Sequence, residues 1–107
     1  MKHFVWLSFD LGVKGDYEGM YEWLDSHEAK ECGDSLACFW YDHPSKDLLQ
    51  DMKADLTKSV ELDTKKNRIY VIRNVGGKMK GSFIFGRRRS PQWAGIAATA
   101  DQGEDHG

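Results

Sequence analysis

Phe4-Val5-Trp6-Leu7-Ser8-Phe9-Asp10-Leu11 is the stretch whose reading decides the fold. Its β-branched and aromatic content and its short length predict a strand rather than a helix. The run is apolar on both faces, which suits a central strand covered on one side and partly buried on the other. Gly12 and Gly15 break the pattern, and a helical pattern follows. Asp10 therefore falls at the carboxyl end of the strand, just before a loop. A lone carboxylate there is either a strand-end cap or a ligand group.

Working outward, Asp16 is a fair helix cap. Tyr17, Met20, Tyr21 and Leu24 then recur at helical spacing, predicting a helix over 16–28 with Glu18, Glu22 and Asp25 solvated. Gly19 costs that helix up to about 1 kcal/mol relative to Ala, and it allows close approach to the sheet. Lys30-Glu31-Cys32 reads as a short edge strand, Gly33-Asp34 as a turn, and residues 36–41 as a second apolar strand. Pro44 and Ser45 mark the start of a second helix over 45–60, with Ser45 as its cap. Leu48, Leu49, Met52, Leu56 and Val60 form its apolar stripe. Residues 68–73 are a further strand. Asn74-Val75-Gly76-Gly77 is a hairpin turn, and 79–85 is the partner strand. Arg87-Arg88-Arg89 and Trp93 lie beyond it.

The expected fold is α+β. It is a ferredoxin-like βαββαβ arrangement with an antiparallel sheet, both helices on one face, and one added C-terminal strand. Residues 1–93 form the domain and 94–107 a disordered tail. Trp6, Phe39 or Trp40, and Tyr70 supply more aromatic surface than one face of so small a core needs. The uncovered face therefore predicts a homodimer.

Composition sets the outer limits. The chain has 107 residues, 40 % hydrophobic and 12 % aromatic, enough for one modest core. No run approaches the roughly 18 apolar residues that cross a bilayer. Asp10 interrupts the only apolar N-terminal run, so no signal peptide is expected and the location reads as cytoplasmic. Cys32 and Cys38 are then expected as reduced, at least partly buried thiols, with a spacing unsuited to a zinc knuckle. Net charge is −2. Residues 1–77 carry 10 Lys/Arg and 14 Asp/Glu, whereas residues 78–89 carry five basic residues and no acid. A basic patch thus sits on an acidic body. Arg87, Arg88 and Arg89 with Trp93 can contact phosphate and stack a base, or simply exit the sheet in solvent. His27 and His43 read as surface groups beside the helices.

Val5-Trp6-Leu7-Ser8-Phe9-Asp10-Leu11 resembles the opening strand of the CRISPR-associated Cas-two proteins and of the related SinR-like and VapD-like proteins. Cys32-Gly33-Asp34-Ser35, with the strand and helix that follow, is similar to the SinR-like branch. The likeness spans about residues 4–86. It implies a ferredoxin-like homodimer whose strand 79–86 reaches the partner. It also implies a metal-dependent endonuclease, or a nucleic-acid-binding relative, in which two Asp10 carboxylates meet and hold one Mg²⁺ or Mn²⁺. Ser8 and Ser35 would be supporting hydroxyls, and Asp34 a further ligand if the hairpin folds back. Phe9 stands where Cas-two proteins usually have Tyr. The alternative class is a non-catalytic dimeric interaction module of toxin–antitoxin or regulatory type.

Overall fold

The opening run becomes β1 (Lys2–Asp10) in the computed structural model, which describes residues 1–94. The elements that follow are α1 (Tyr17–Ser26), β2 (Lys30–Gly33), β3 (Leu36–Asp42), α2 (Leu48–Ser59), β4 (Arg68–Val75) and β5 (Lys78–Phe85). The disorder expected of 94–107 falls, apart from Ala94, outside the described residues. No helix among the described residues is long and apolar enough to cross a membrane.

The five strands form one antiparallel sheet in the order β2-β3-β1-β4-β5. β1 is central, with Leu7 opposite Ala37 of β3 and Val71 of β4. Because strand side chains alternate, Val5, Leu7 and Phe9 share one face with Ala37, Phe39, Tyr41, Ile69 and Val71. All of these are buried. Both helices supply the other half of that core: Met20, Trp23 and Leu24 from α1, and Leu48, Met52 and Leu56 from α2. Fully burying a side chain of this size contributes about 1.5–3 kcal/mol.

Three local expectations are corrected. The apolar face of α1 is centred on Trp23, 3 % exposed, whereas Tyr21 is 50 % exposed. Trp23 wins because its ring meets Phe39 and His27 at centroid distances of 5.6 and 4.2 Å. The cap of α2 is Asp47, which accepts the Gln50 N–H at 3.1 Å. Ser45 lies outside the helix, accepting the Asp47 N–H and donating its hydroxyl to Asp51 at 2.8 Å. His43 is not a surface group. It is 1 % exposed, with its ring nitrogens 2.9 Å from His3 Nδ1 and 3.2 Å from Asp51 Oδ2. A buried polar ring needs such partners.

Asp16 joins the helices. Its carboxylate accepts the Glu61 N–H and the Gly19 N–H, each at 2.9 Å, and the two bonds hold its carboxyl below the ordinary value. A Cβ on Gly19 would lie 2.8 Å from the Ser59 carbonyl oxygen. This glycine lets α1 close onto the end of α2 rather than onto the sheet, because the nearest atoms to its missing Cβ belong to Ser59 and Asp16.

Candidate nucleic-acid interface

The helix-free face of the sheet carries the alternate residues of the same strands. In register, Phe4 faces Trp40, Trp6 faces Cys38 and Ile72, Ser8 faces Tyr70, and Asp10 faces Arg68. Tyr70 in turn faces Phe83 and Ile72 faces Gly81. Aromatic rings thus run obliquely across the face. Phe4 meets Trp6 and Trp40 edge-on at 5.0 and 5.2 Å, and Tyr70 meets Phe83 at 4.8 Å. Trp40 is 60 % exposed. Gly81 leaves room for the Tyr70 ring, which occupies the place a Cβ would take. Phe39, the other aromatic considered for this face, points into the core.

Arginines gather at the Asp10 end of the face. Arg68 donates to the Asp10 carboxylate at 2.8 Å and Arg89 at 3.4 Å, and the Gly12 N–H reaches it at 3.3 Å. The Arg68 hydrogen bond chiefly, aided by Gly12 and the Arg89 charge, holds the Asp10 carboxyl below its ordinary value against the opposing effect of burial. A cavity of about 520 Å³ opens here. Ser8, Asp10, Arg68, Tyr70, Arg88, Arg89 and Trp93 are among its walls. Five residues singled out in the sequence, Ser8, Asp10, Arg88, Arg89 and Trp93, therefore line one cavity.

Around the end of β5 lies an adjoining cleft of about 780 Å³. Lys53, Lys65, Lys66, Arg68, Arg87, Arg88 and Arg89 all line it, and among the described residues no carboxylate does. Lys53 lies 5.5 Å over the Phe85 ring. Among the described residues, Lys53, Lys65, Lys66, Arg87 and Arg88 make no ion pair. Arg87 belongs to this cleft. Ser35 lies elsewhere, in the β2–β3 turn, with its carbonyl accepting the Phe9 N–H at 3.0 Å. Asp34 is in the same turn and does not line the Asp10 cavity.

Mg²⁺ and Mn²⁺ require several hard oxygen ligands. Among the described residues of one chain the cavity offers a single carboxylate, and two guanidiniums already neutralise it. No group of three or more His, Cys, Asp or Glu side chains suited to a metal is gathered among the described residues. A second Asp10 across a two-fold axis would bring its own pair of guanidiniums with it. This donor set does not fit a divalent cation, whereas it suits an anion.

Arg68, Tyr70 and Phe83 of this cavity, and Lys53, Lys65 and Lys66 of the cleft, are not candidate site residues in the sequence. The signal for Arg68 was register: two antiparallel strands with an acid at one strand's end and a base at the other's start. Lys53, Lys65 and Lys66 gave no such signal, because α2 and its following loop reach the cleft only through tertiary packing. No family model, no curated protein and no solved structure matches this chain.

Proposed function

We propose that this chain is a ferredoxin-like module that binds single-stranded nucleic acid across its open sheet face. The strand order β2-β3-β1-β4, with β5 added at one edge, supports the split βαβ reading. One observation carries the functional reading. Arg68, Arg88 and Arg89 converge with Tyr70, Phe83 and Trp93 on one cavity that continues into a basic cleft lined by no acid among the described residues. Guanidiniums and ammoniums match phosphates, and exposed rings match the faces of unpaired bases. The likeness of residues 4–86 to the Cas-two superfamily points to the same ligand class.

In this reading Asp10 is an anchor. Its carboxylate fixes the Arg68 fork and draws Arg89 inward, so the fork meets a phosphate with little ordering cost. Base faces stack on Trp40 and Trp6 further along the sheet, and phosphates follow the arginines toward Lys65 and Lys66. The function is binding, with no cleavage step assigned. A homodimer through the same face is the second reading, favoured by the exposed apolar Trp40 and Met79.

Arg88→Ala and Trp40→Ala separate these contributions in a titration of a labelled single-stranded oligonucleotide. Arg88→Ala should weaken binding across all sequences and reduce the salt slope by about 1. Trp40→Ala should cost about 1–3 kcal/mol of binding, the worth of one stacked base. Wild-type affinity in both variants would defeat the proposal. A sedimenting species of twice 12.2 kDa that Trp40→Ala dissociates, together with no oligonucleotide binding, would favour the dimer instead.

A further inference from the structure

We propose that Cys32 and Cys38 form a reversible oxidation site, closing to an intrachain disulfide when a low-molecular-weight disulfide such as oxidised glutathione supplies the oxidant. The two thiols are free, and their sulfurs lie 3.0 Å apart, with the Cys32 S–H donating to Cys38.

Their closeness comes from the strand geometry. β2 pairs with β3 through Lys30 and Cys38, Glu31 and Ala37, then Gly33 and Leu36. The register shift between Glu31 and Gly33 makes Cys32 an extra residue on β2. In a regular ladder, Cys32 and Cys38 would be diagonal neighbours about 7–8 Å apart at their Cα atoms. A bulge bends its strand and re-aims a side chain, and here it turns Cys32 toward Cys38. A disulfide bond is about 2.05 Å long, so the sulfurs need approach by only about 1 Å.

Access favours reaction. Cys32 is exposed rather than partly buried as the sequence suggests, because it is the extra residue of an edge strand, and Cys38 is half-buried on the open face opposite Trp6. One cysteine thiolate attacks a sulfur of oxidised glutathione. Its S–S bond breaks, one glutathione thiolate leaves, and a mixed disulfide forms. The second cysteine then loses its proton and attacks the protein sulfur of that mixed disulfide, expelling the second glutathione. Two electrons pass to the glutathione disulfide, and the two thiol protons finish on the two glutathione molecules. The second step is fast because the resolving sulfur is already in contact. The new bond ties β2, an edge strand held on one side only, to its neighbour.

The test uses the full native chain with oxidised glutathione, followed by alkylation and mass spectrometry. The expected wild-type product carries no alkyl group, is about 2 Da lighter than the reduced chain, and returns to the dithiol on treatment with dithiothreitol. Cys38→Ser should stop at one glutathione adduct on Cys32, because no resolving thiol remains. Two alkylatable thiols in oxidised wild type, a stable glutathione on each cysteine, or bonds only between chains would each overturn the proposal.

Discussion

Gly19→Ala should destabilise this protein, although the same change in an exposed helix normally stabilises it. Helix propensity alone favours Ala by about 1 kcal/mol. Two opposing effects follow from where Gly19 sits. The added Cβ would lie 2.8 Å from the Ser59 carbonyl oxygen and 2.9 Å from Asp16 Cγ. The first of these is backbone at the end of α2 and cannot rotate away. Overpacking of this kind costs about 1–3 kcal/mol. Pushing Asp16 aside also loosens a cap that serves Gly19 and Glu61 together, and a lost cap costs about 0.5–2 kcal/mol. Taken at mid-range, these leave a net loss of about 2 kcal/mol, or roughly 8–16 °C in Tm for a domain of this size. Urea unfolding followed by circular dichroism measures it as a lower midpoint at unchanged slope. A midpoint equal to wild type or higher would show that α1 and α2 do not meet closely at Gly19.

Leu56→Ala removes a fully buried side chain from the α2 stripe and should cost about 2–5 kcal/mol in the same assay; a loss under about 1 kcal/mol would contradict the packing of α2 on the sheet. Acid should unfold the protein by a route the carboxylates set. Asp10, Asp16 and Asp51 all lie below the ordinary 3.8 in the folded chain, through the Arg68 bond, the Glu61 and Gly19 amides, and the Ser45 amide and hydroxyl respectively. Their stabilisation is present above the unfolded value and is lost as pH falls through the lower folded values. Tm should therefore be level above about pH 5 and decline below it, with a shallower decline in Asp51→Asn. A Tm independent of pH down to 3 would contradict these bonds.

The helices and strands were legible because each carries one clean period. β1, β3 and β4 are apolar runs of strand length, and α2 shows an uninterrupted stripe from Leu48 to Val60. For α1 the spacing selects a face slightly rotated from the true one. Tyr17, Met20, Tyr21 and Leu24 have perfect spacing, yet Trp23 is the larger apolar group and takes the core. The chain of His3, buried His43 and Asp51 is hidden in the sequence because its members come from β1, the loop after β3, and α2. Distances of 40 and 8 residues separate the bonded pairs, and no local pattern marks them. The site was half legible. Asp10 and the arginine run stand out as charges at the ends of apolar strands, but the Asp10–Arg68 pairing depends on β1 lying beside β4. The lysines of the basic cleft depend on where α2 and its loop pack against the end of the sheet.

Titration of the wild-type chain against labelled single-stranded and duplex oligonucleotides over a range of salt concentrations tests the central claim most directly. The five cations around the basic cleft that make no ion pair among the described residues set the expected electrostatic signature. If each covers one phosphate, the logarithm of affinity should fall against the logarithm of salt with a slope of about −3.5. The single strand should bind more tightly than the duplex, because only unpaired bases expose their faces to the open aromatic sheet. No binding at low salt, or a duplex bound as tightly as the single strand, would contradict the account.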